Sequence, residues 1–291
     1  WNAFRLIKGW TVDDNIQAPD AAKLAVHWFE SKQNEVAAEV ADLFSKYRLS
    51  EALMAVYKLF WDEFSSWYLE MIKPAYGQGI DRTTYDATLC FLDNLLHLLH
   101  PFMPFITEEL WQQMYERNAE EGESLMVSAL SMDTYVDTAF VAQFEVVKGV
   151  ISNIRSIRLQ KNIAQKEPLD LQVLGENPVA EFNAVIQKMC NLSSITVVES
   201  KAEGASSFMV GTTEYAVPLG NMIDVEAEIA RMEAELKHKE GFLQGVLKKL
   251  SNEKFVNNAP AAVLEMERKK QADAESIISS LKESIAALTK A

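Results

Sequence analysis

The sequence predicts a mainly helical protein with three domains: a helical bundle over residues 1–166, a small α+β unit over 167–220 and an antiparallel coiled-coil hairpin over 221–291. Three observations predict this fold class. Long amphipathic segments rich in aromatic residues fill the first range, strand-like alternation begins at residue 169, and apolar residues near the end of the chain recur every three and four positions. Each change of period indicates a change of secondary structure.

The bundle is predicted from helix-length segments that proline or glycine interrupts. Residues 1–7 already read as helix without a cap, so we expect the chain to be the C-terminal piece of a longer polypeptide. Further helices are predicted over 19–44, 49–72, 83–100, 104–118 and 138–165. Pro74 and Pro101 end two of these segments, because proline cannot continue a helix. Short connections between such helices indicate a bundle with mostly antiparallel neighbours.

The middle range is predicted to be a small βαββ unit that joins the bundle to the hairpin. Alternation at 169–173 indicates a strand, and 179–190 reads as a short helix. Further strand candidates are 195–198, 208–210 and 215–217, with a hairpin turn at 211–214.

The final range has the 3.5-residue period of a two-helix coiled-coil seam. The recurring positions are Ile229, Met232, Leu236, Lys239, Leu243, Val246 and Leu250 in the first helix, and Val263, Lys270, Ala274, Ile277, Leu281 and Leu288 in the second. Pro260 favours the first turn of a new helix and restricts the residue before it, so the chain is predicted to reverse there. We therefore expect a hairpin within one chain, and a monomer.

Composition argues against several function classes. The 291 residues carry a net charge of −14, which argues against general coating of nucleic acid or of an anionic membrane. No apolar run reaches the roughly 18 residues that a membrane span needs. The two cysteines, Cys90 and Cys190, are typical of reduced cytosolic thiols, so we expect a cytoplasmic protein.

Two basic stretches contrast with this acidity. Residues 241–270 carry six basic and three acidic side chains, and residues 148–166 carry five basic and no acidic ones. Both patterns favour contact with a polyanion. The alternatives are a solvated coiled-coil surface for the first stretch and pairing with acidic helices for the second.

No catalytic constellation is found in the sequence. The 11 glycines are scattered and form no phosphate-binding loop. His97 and His100 lie one helical turn apart and are predicted to pack within the bundle rather than to bind a metal. We therefore expect no catalytic, cofactor or metal site in this chain.

Four segments resemble the C-terminal portion of the valyl-tRNA synthetase family, which belongs to the class I aminoacyl-tRNA synthetases. They are residues 1–5, 47–52 together with 60–70, 99–111, and 215–231 together with 249–260. The third is a bundle motif that the isoleucine and leucine enzymes share in weaker form. The fourth is similar to the C-terminal arm of the valine enzyme and is the most specific. Ser65 and Ser66 depart from the family, which more often has Cys-Asp there.

This resemblance implies a tRNA-binding function. The bundle would be the class Ia anticodon-binding domain and would hold the anticodon stem-loop, while the coiled coil would reach the outer corner of tRNA-Val. Valine would be attached with ATP and Mg²⁺ in an upstream domain, because the motifs of that domain do not occur here. The fragment would therefore bind tRNA without charging it, and no cofactor is expected in it.

The candidate anticodon contacts are Asn2, Arg5, Arg48, Arg155 and Arg158. Asn2 and Arg5 lie three residues apart and share a helix face. Arg48 lies at the break between two helices, and Arg155 and Arg158 are expected on a face opposite the isoleucines. An arginine can bind a phosphate or stack on an unpaired base.

An alternative for Arg5 and Arg48 is pairing with bundle acids such as Glu51 and Asp62. The aromatic rings of 49–72 are predicted to be mostly core, although one or two could stack on a base. The candidate contacts of the arm with the tRNA backbone are Lys248, Lys249, Lys254, Arg268, Lys269 and Lys270.

Two other identities stay open. An isoleucyl-tRNA synthetase fragment is one, but that family lacks such an arm and commonly ends in a cysteine-bearing zinc module, and no cysteine follows Cys190. The other is a scaffold protein with a dimerising coiled coil and no RNA. Lys239 and Lys270 occupy seam positions, which disfavours a strong intermolecular zipper.

Overall fold

The computed structural model describes residues 1–114, 124–130, 132–219, 225–251, 264–272, 274–275, 278 and 282, and only the backbone of 225–232 and 235. Residues Trp1–Pro218 form one compact unit and Leu219–Ala291 a second. Within these described ranges, no helix has the length and apolar character needed to cross a membrane. The three predicted domain ranges stay predictions.

The bundle is built from helices that follow the predicted segments. They are α1 (Asn2–Lys8), α2 (Asp20–Ser45), α3 (Leu49–Lys58), α4 (Leu69–Ile72), α5 (Arg82–Leu99), α6 (Pro104–Met114) and α7 (Thr138–Gln160). Two-residue strands β1 (Val12–Asp13) and β2 (Ile80–Asp81) pair in parallel beside them. Strands this short have no periodicity in the sequence, and they were not predicted.

Aromatic rings fill the core of the bundle. Trp28 is fully buried and stacks on Phe144, with 4.1 Å between ring centroids. Phe29 contacts Phe64 and Tyr68 at centroid distances of 5.3 and 4.9 Å. These contacts join α2, α7 and the segment after α3, so the predicted aromatic core is confirmed.

A π-helix, Leu59–Tyr68, connects α3 to α4 without a break. Its wider turn is visible in two side-chain hydrogen bonds, since Ser65 and Ser66 donate their hydroxyls to the carbonyls of Phe60 and Trp61, five residues back, at 2.9 Å. The sequence predicted one continuous helix over 49–72. The wide turn inside it is a correction, and it changes which side chains along this segment share a face.

The α+β unit contains β3 (Leu169–Leu174), α8 (Asn183–Cys190), β4 (Leu192–Val198), β5 (Ser206–Val210) and β6 (Thr213–Val217). The strand order is β4-β3-β6-β5, with β3 and β4 parallel and the other pairs antiparallel. All four strand candidates are present, so the unit is βαβββ rather than βαββ. It packs closely on the bundle: a Cβ added at Gly149 of α7 would lie 2.9 Å from Val210 of β5.

The second compact unit contains α9 (Val225–Leu250) and further helical residues at 264–272. Val246 and Ala274 are buried at predicted seam positions, and Ile278 is buried next to the predicted Ile277. Two ion pairs, Glu240–Lys282 at 2.8 Å and Lys249–Glu267 at 3.8 Å, link the two segments. Their order along the chain is antiparallel, as predicted. The reversal at Pro260 lies outside the described residues, as do the side chains of Ile229, Met232, Val263, Ile277, Leu281 and Leu288.

Candidate nucleic-acid interface

Arg5 lies on the exposed side of α1. Phe4 and Ile7 are buried against the bundle, which leaves Asn2 and Arg5 on the solvent side of the helix. No hydrogen bond or ion pair of the Arg5 side chain occurs within the described part of the chain. The alternative of pairing with a bundle acid is therefore not seen for Arg5, and its five N–H donors can bind a ligand.

Arg48 lies in the turn between α2 and α3, beside Tyr47, whose φ of 57° is left-handed. Its guanidinium makes a bidentate contact with the Glu51 carboxylate: Nε donates to Oε1 at 2.6 Å and a terminal nitrogen donates to Oε2. Hydrogen bonding to Glu51 raises the pKa of Arg48. The alternative prediction, pairing with Glu51, is confirmed. Because both partners are about half exposed, an RNA phosphate can still compete for this arginine.

Lys148 shows that the basic helix α7 uses part of its charge inside the protein. Its Nζ lies 2.6 Å from Glu63 and 2.8 Å from Glu145, and its side chain is 12% exposed. The ammonium also lies 5.3 Å from the centroid of Trp28. For Lys148, the alternative of pairing with acidic helices is therefore confirmed.

Arg158 is a correction to the predicted site. It is 1% exposed. Its guanidinium donates to the carbonyls of Ala164 at 2.9 Å, Cys190 at 2.7 Å and Asn191 at 3.3 Å. Burial lowers the pKa of Arg158 and raises the pKa of the Cys190 thiol to about 12. Arg158 therefore joins the end of α7 to the end of α8 and cannot reach an RNA base.

Arg155 remains exposed one turn earlier on α7. Its guanidinium carbon lies 5.5 Å from the centroid of the Trp67 ring, within the range of a cation–π contact. No ion pair of Arg155 is found in the ranges that the structure describes. This contact uses none of the N–H donors of Arg155, which stay available to an acceptor.

Exposed aromatic rings lie near α1, on the outer side of α3 and the π-helix. Tyr57 is 51% and Trp61 59% exposed, and their rings are nearly parallel, 6.0 Å apart. They border an apolar groove of about 250 Å³ that Trp1 and Met103 also line. These two rings are the ones of the 49–72 segment that can stack on a base, and the sequence alone did not identify which of its rings were exposed.

The structure brings the predicted bundle residues together only in part. Arg155 and Arg158 line one depression at the end of α7. No contact in the described residues joins Asn2, Arg5 or Arg48 to that depression.

The arm presents exposed basic residues on both of its segments. Lys248 and Lys249 lie at the end of α9, and Arg268 and Lys269 lie on the second segment, all exposed. Lys270 is partly buried and binds Glu267 at 2.8 Å. This contact lowers the pKa of Glu267, a residue that is 6% exposed. Lys254 lies outside the described residues.

The described residues contain no group of three or more His, Cys, Asp or Glu side chains that could hold a metal ion. His97 lies 2.8 Å from the Ser128 hydroxyl, and His100 lies 2.8 Å from the Thr107 hydroxyl. Both histidines therefore pack in the bundle, as predicted.

Two family models match the chain, one over most of the bundle and one over most of the arm. The first, described as the anticodon-binding domain of tRNA ligase, matches residues 26–173. The chain belongs to this anticodon-binding domain family of tRNA ligases. The second, described as the valyl tRNA synthetase tRNA binding arm, matches residues 224–289. A member of the anticodon-binding family that carries this arm agrees with the predicted valyl-tRNA synthetase resemblance, and not with the isoleucine or scaffold alternatives.

Three curated relatives of this chain are named valine–tRNA ligase. The valine–tRNA ligase of Bacteroides thetaiotaomicron is 99% identical over 291 residues, which are 100% of this chain and 33% of that relative. The valine–tRNA ligase of Phocaeicola vulgatus is 72% identical over 290 residues, again 100% of this chain and 33% of the relative. The valine–tRNA ligase of Enterococcus faecalis is 34% identical over 305 residues, which are 99% of this chain and 34% of the relative. The chain thus spans about a third of the length of these relatives.

Proposed function

We propose that this chain is the tRNA-binding part of a protein that attaches valine to tRNA-Val, with ATP and Mg²⁺. The observation that carries the proposal is the match of residues 224–289 to the arm of the valine enzyme, on a chain whose bundle belongs to the anticodon-binding family. The reacting groups would lie in the part of the relatives that this chain does not cover. The chain alone would bind tRNA without charging it.

The bundle would hold the anticodon stem-loop through groups that the protein leaves available. Arg5 and Arg155 are exposed and free of carboxylate partners among the described residues, and Asn2 shares the exposed side of α1 with Arg5. Arg48 would exchange Glu51 for an RNA phosphate. Unpaired anticodon bases can also stack on exposed rings such as Trp61.

The arm would contact the tRNA backbone rather than its bases. Its exposed cations are lysines and one arginine on regular helix, and no aromatic ring occurs in the described residues 248–251 and 264–270 beside them. Such groups bind phosphates with little dependence on sequence. We also propose that the protein is a monomer, which the two ion pairs that close the hairpin within one chain support, and that it is cytoplasmic, as the two cysteines suggest.

Filter binding with tRNA-Val and with another tRNA, over a range of salt concentrations, tests the proposal. We expect tighter binding of tRNA-Val. A variant with Lys248, Lys249, Arg268 and Lys269 changed to Glu should bind both RNAs more weakly and reduce the log–log salt slope by about one unit for each lost phosphate contact.

The matched control changes four exposed lysines of the first unit, Lys23, Lys46, Lys73 and Lys201, to Glu. Each of them is ion-paired to a carboxylate and at least 46% exposed. The net charge changes equally, so a smaller loss of affinity in the control assigns the effect to the arm. Unchanged binding by the arm variant at low salt would contradict the arm contacts. Equal affinity for both tRNAs would contradict valine specificity.

A further inference from the structure

A depression with a volume of about 410 Å³ lies at the C-terminal end of α7. It is lined by Arg155, Arg158, Leu159, Asn162, Ile163, Ala164 and Gln165. All of these residues are in the first compact unit. We propose that this depression binds a phosphate group of the tRNA backbone, with Arg155 as the contact residue and Arg158 as a buried positive charge behind it. The proposal rests on the proposed tRNA-binding function.

The position of Arg155 favours a phosphate over a base. Its guanidinium carbon lies 5.5 Å from the centroid of the Trp67 ring, a cation–π contact that uses none of its N–H donors. These donors lie in the plane of the guanidinium, and two of them can bind two phosphate oxygens in parallel. Leu159, 81% exposed, follows four residues later and borders the same depression without adding a competing acceptor side chain.

Arg158 makes the depression electropositive. Its charge is buried, and its partners are three carbonyl oxygens rather than a carboxylate. Its Nε has no hydrogen-bond partner within the described ranges. Glu167 is near enough to act on it electrostatically but forms no ion pair with it in the described residues. Carbonyl dipoles stabilise a guanidinium without cancelling its formal charge.

The segment that lines the depression contains no acidic residue. No Asp or Glu occurs between Glu145 and Glu167, and Lys166 is exposed beside the depression. Lys148, two turns before Arg155, shows the opposite arrangement, because Glu63 and Glu145 bind it directly. A pair of arginines left without a carboxylate is the chemistry that recognises a phosphate.

The experiment compares Arg155→Gln, Arg155→Lys and the control Arg82→Gln, an exposed arginine that binds Asp14. The tRNA affinity of the whole chain is measured against salt concentration. We expect Arg155→Gln to weaken binding about tenfold and to reduce the log–log salt slope by about 0.7–0.9, the value for one phosphate contact. Arg155→Lys should retain the slope and lose less affinity, because it keeps the charge without the planar fork. Arg82→Gln should change neither quantity.

A second measurement separates RNA phosphate from free phosphate. The Arg155 Nε–H signal is followed by NMR during titration with tRNA and, separately, with inorganic phosphate. A shift with tRNA supports the proposal, and a shift with inorganic phosphate alone assigns the depression to free phosphate and overturns it. An unchanged salt slope in Arg155→Gln also overturns it, even if tRNA-Val is still preferred. If the parent chain bound no tRNA, the proposed function would fail, whereas a parent chain that binds tRNA beside an Arg155→Gln variant with unchanged affinity and salt slope would reject the depression alone.

Discussion

In the first compact unit, Arg48, Lys148 and Arg158 all have partners inside the protein, whereas Lys248, Arg268 and Lys269 of the arm have none among the described residues. In the bundle, Lys148 and Arg158 therefore use their charge to hold different elements together. The arm also pairs Lys249, Lys270 and Lys282 with carboxylates, but it leaves Lys248, Arg268 and Lys269 exposed to solvent. Charge density in a sequence is therefore a better guide to ligand contacts in a thin coiled coil than in a bundle, because a bundle has buried places where charge is needed.

The buried cores of the bundle and of the arm also differ, in the size of their side chains. The bundle buries large rings such as Trp28, Phe64 and Phe144, while the described seam of the arm buries small or medium side chains such as Val246 and Ala274. Substitutions should therefore act mainly through stability in the bundle core and mainly through RNA affinity on the arm surface.

The largest expected effect is the loss of Trp28. Trp28→Ala removes a fully buried ring that stacks on Phe144, and it should lower the free energy of unfolding by about 3–5 kcal/mol. Trp61→Ala is the matched control, since Trp61 is 59% exposed, and it should change stability by about 0.5 kcal/mol or less. Urea denaturation followed by far-UV circular dichroism measures both. Equal losses would mean that the exposed ring is part of the core.

The second effect separates the two arginines of α7. Arg158→Met leaves three buried carbonyls without their donor and should lower stability by about 2–3 kcal/mol. Arg155→Met removes an exposed cation over Trp67 and should cost about 0.5 kcal/mol or less. The same denaturation experiment compares them. A fully stable Arg158→Met variant would show that the three carbonyls do not depend on Arg158 and would contradict its structural role.

The burial of Arg158 illustrates what the sequence can and cannot predict. Position 158 lies four residues after Ile154 and seven after Ile151, so it continues the apolar stripe of α7. We predicted an exposed Arg158 because arginine is charged, whereas the apolar periodicity of α7 predicts a buried side chain at this position. The partners that stabilise it, at Ala164 and Cys190, come from other parts of the chain, and one sequence does not reveal such tertiary contacts.

Helix positions were predictable where proline marks them. Pro101 follows α5 (Arg82–Leu99) closely, and Pro19 directly precedes α2 (Asp20–Ser45). The π-helix at Leu59–Tyr68 was not predictable, because its residues are compatible with an ordinary helix and the wide turn depends on packing. For the same reason the sequence could not tell that Tyr57 and Trp61 are exposed while Phe64 is buried.

The third effect tests the seam of the arm. Val246→Ala removes about two methylene groups from a buried position and should lower the stability of the arm by about 1–2 kcal/mol. Leu247→Ala is the control at the next residue, which is 41% exposed, and should have a smaller effect. Thermal unfolding followed by circular dichroism at the helix band compares them. A larger loss for Leu247→Ala would place the seam one residue away from the predicted grid.

The smallest effect concerns two carboxylates and their response to pH and salt. A hydrogen bond from the backbone N–H of Phe140, together with His27, lowers the pKa of Asp137 below its ordinary value of 3.8, and Lys270 lowers the pKa of Glu267 below 4.5. A carboxyl group whose pKa is lower in the folded state contributes stability above its unfolded pKa and loses it as the pH falls through the folded value. The contribution of each group should therefore be complete at neutral pH and should decline below about pH 4.

Asp137→Asn and Glu267→Gln should each lower the melting temperature slightly at neutral pH, and the difference from the parent chain should shrink as the solution is acidified. Salt distinguishes the two units. The effect of Asp137 should persist at about 1 M salt because a backbone hydrogen bond is its main cause, whereas that of Glu267 should weaken because its partners are the charged Lys270 and Lys249. Melting curves at two pH values and two salt concentrations measure this. If both effects had the same salt dependence, ionic contacts would hold the two units equally, and the contrast between bundle and arm would not extend to their acidic residues.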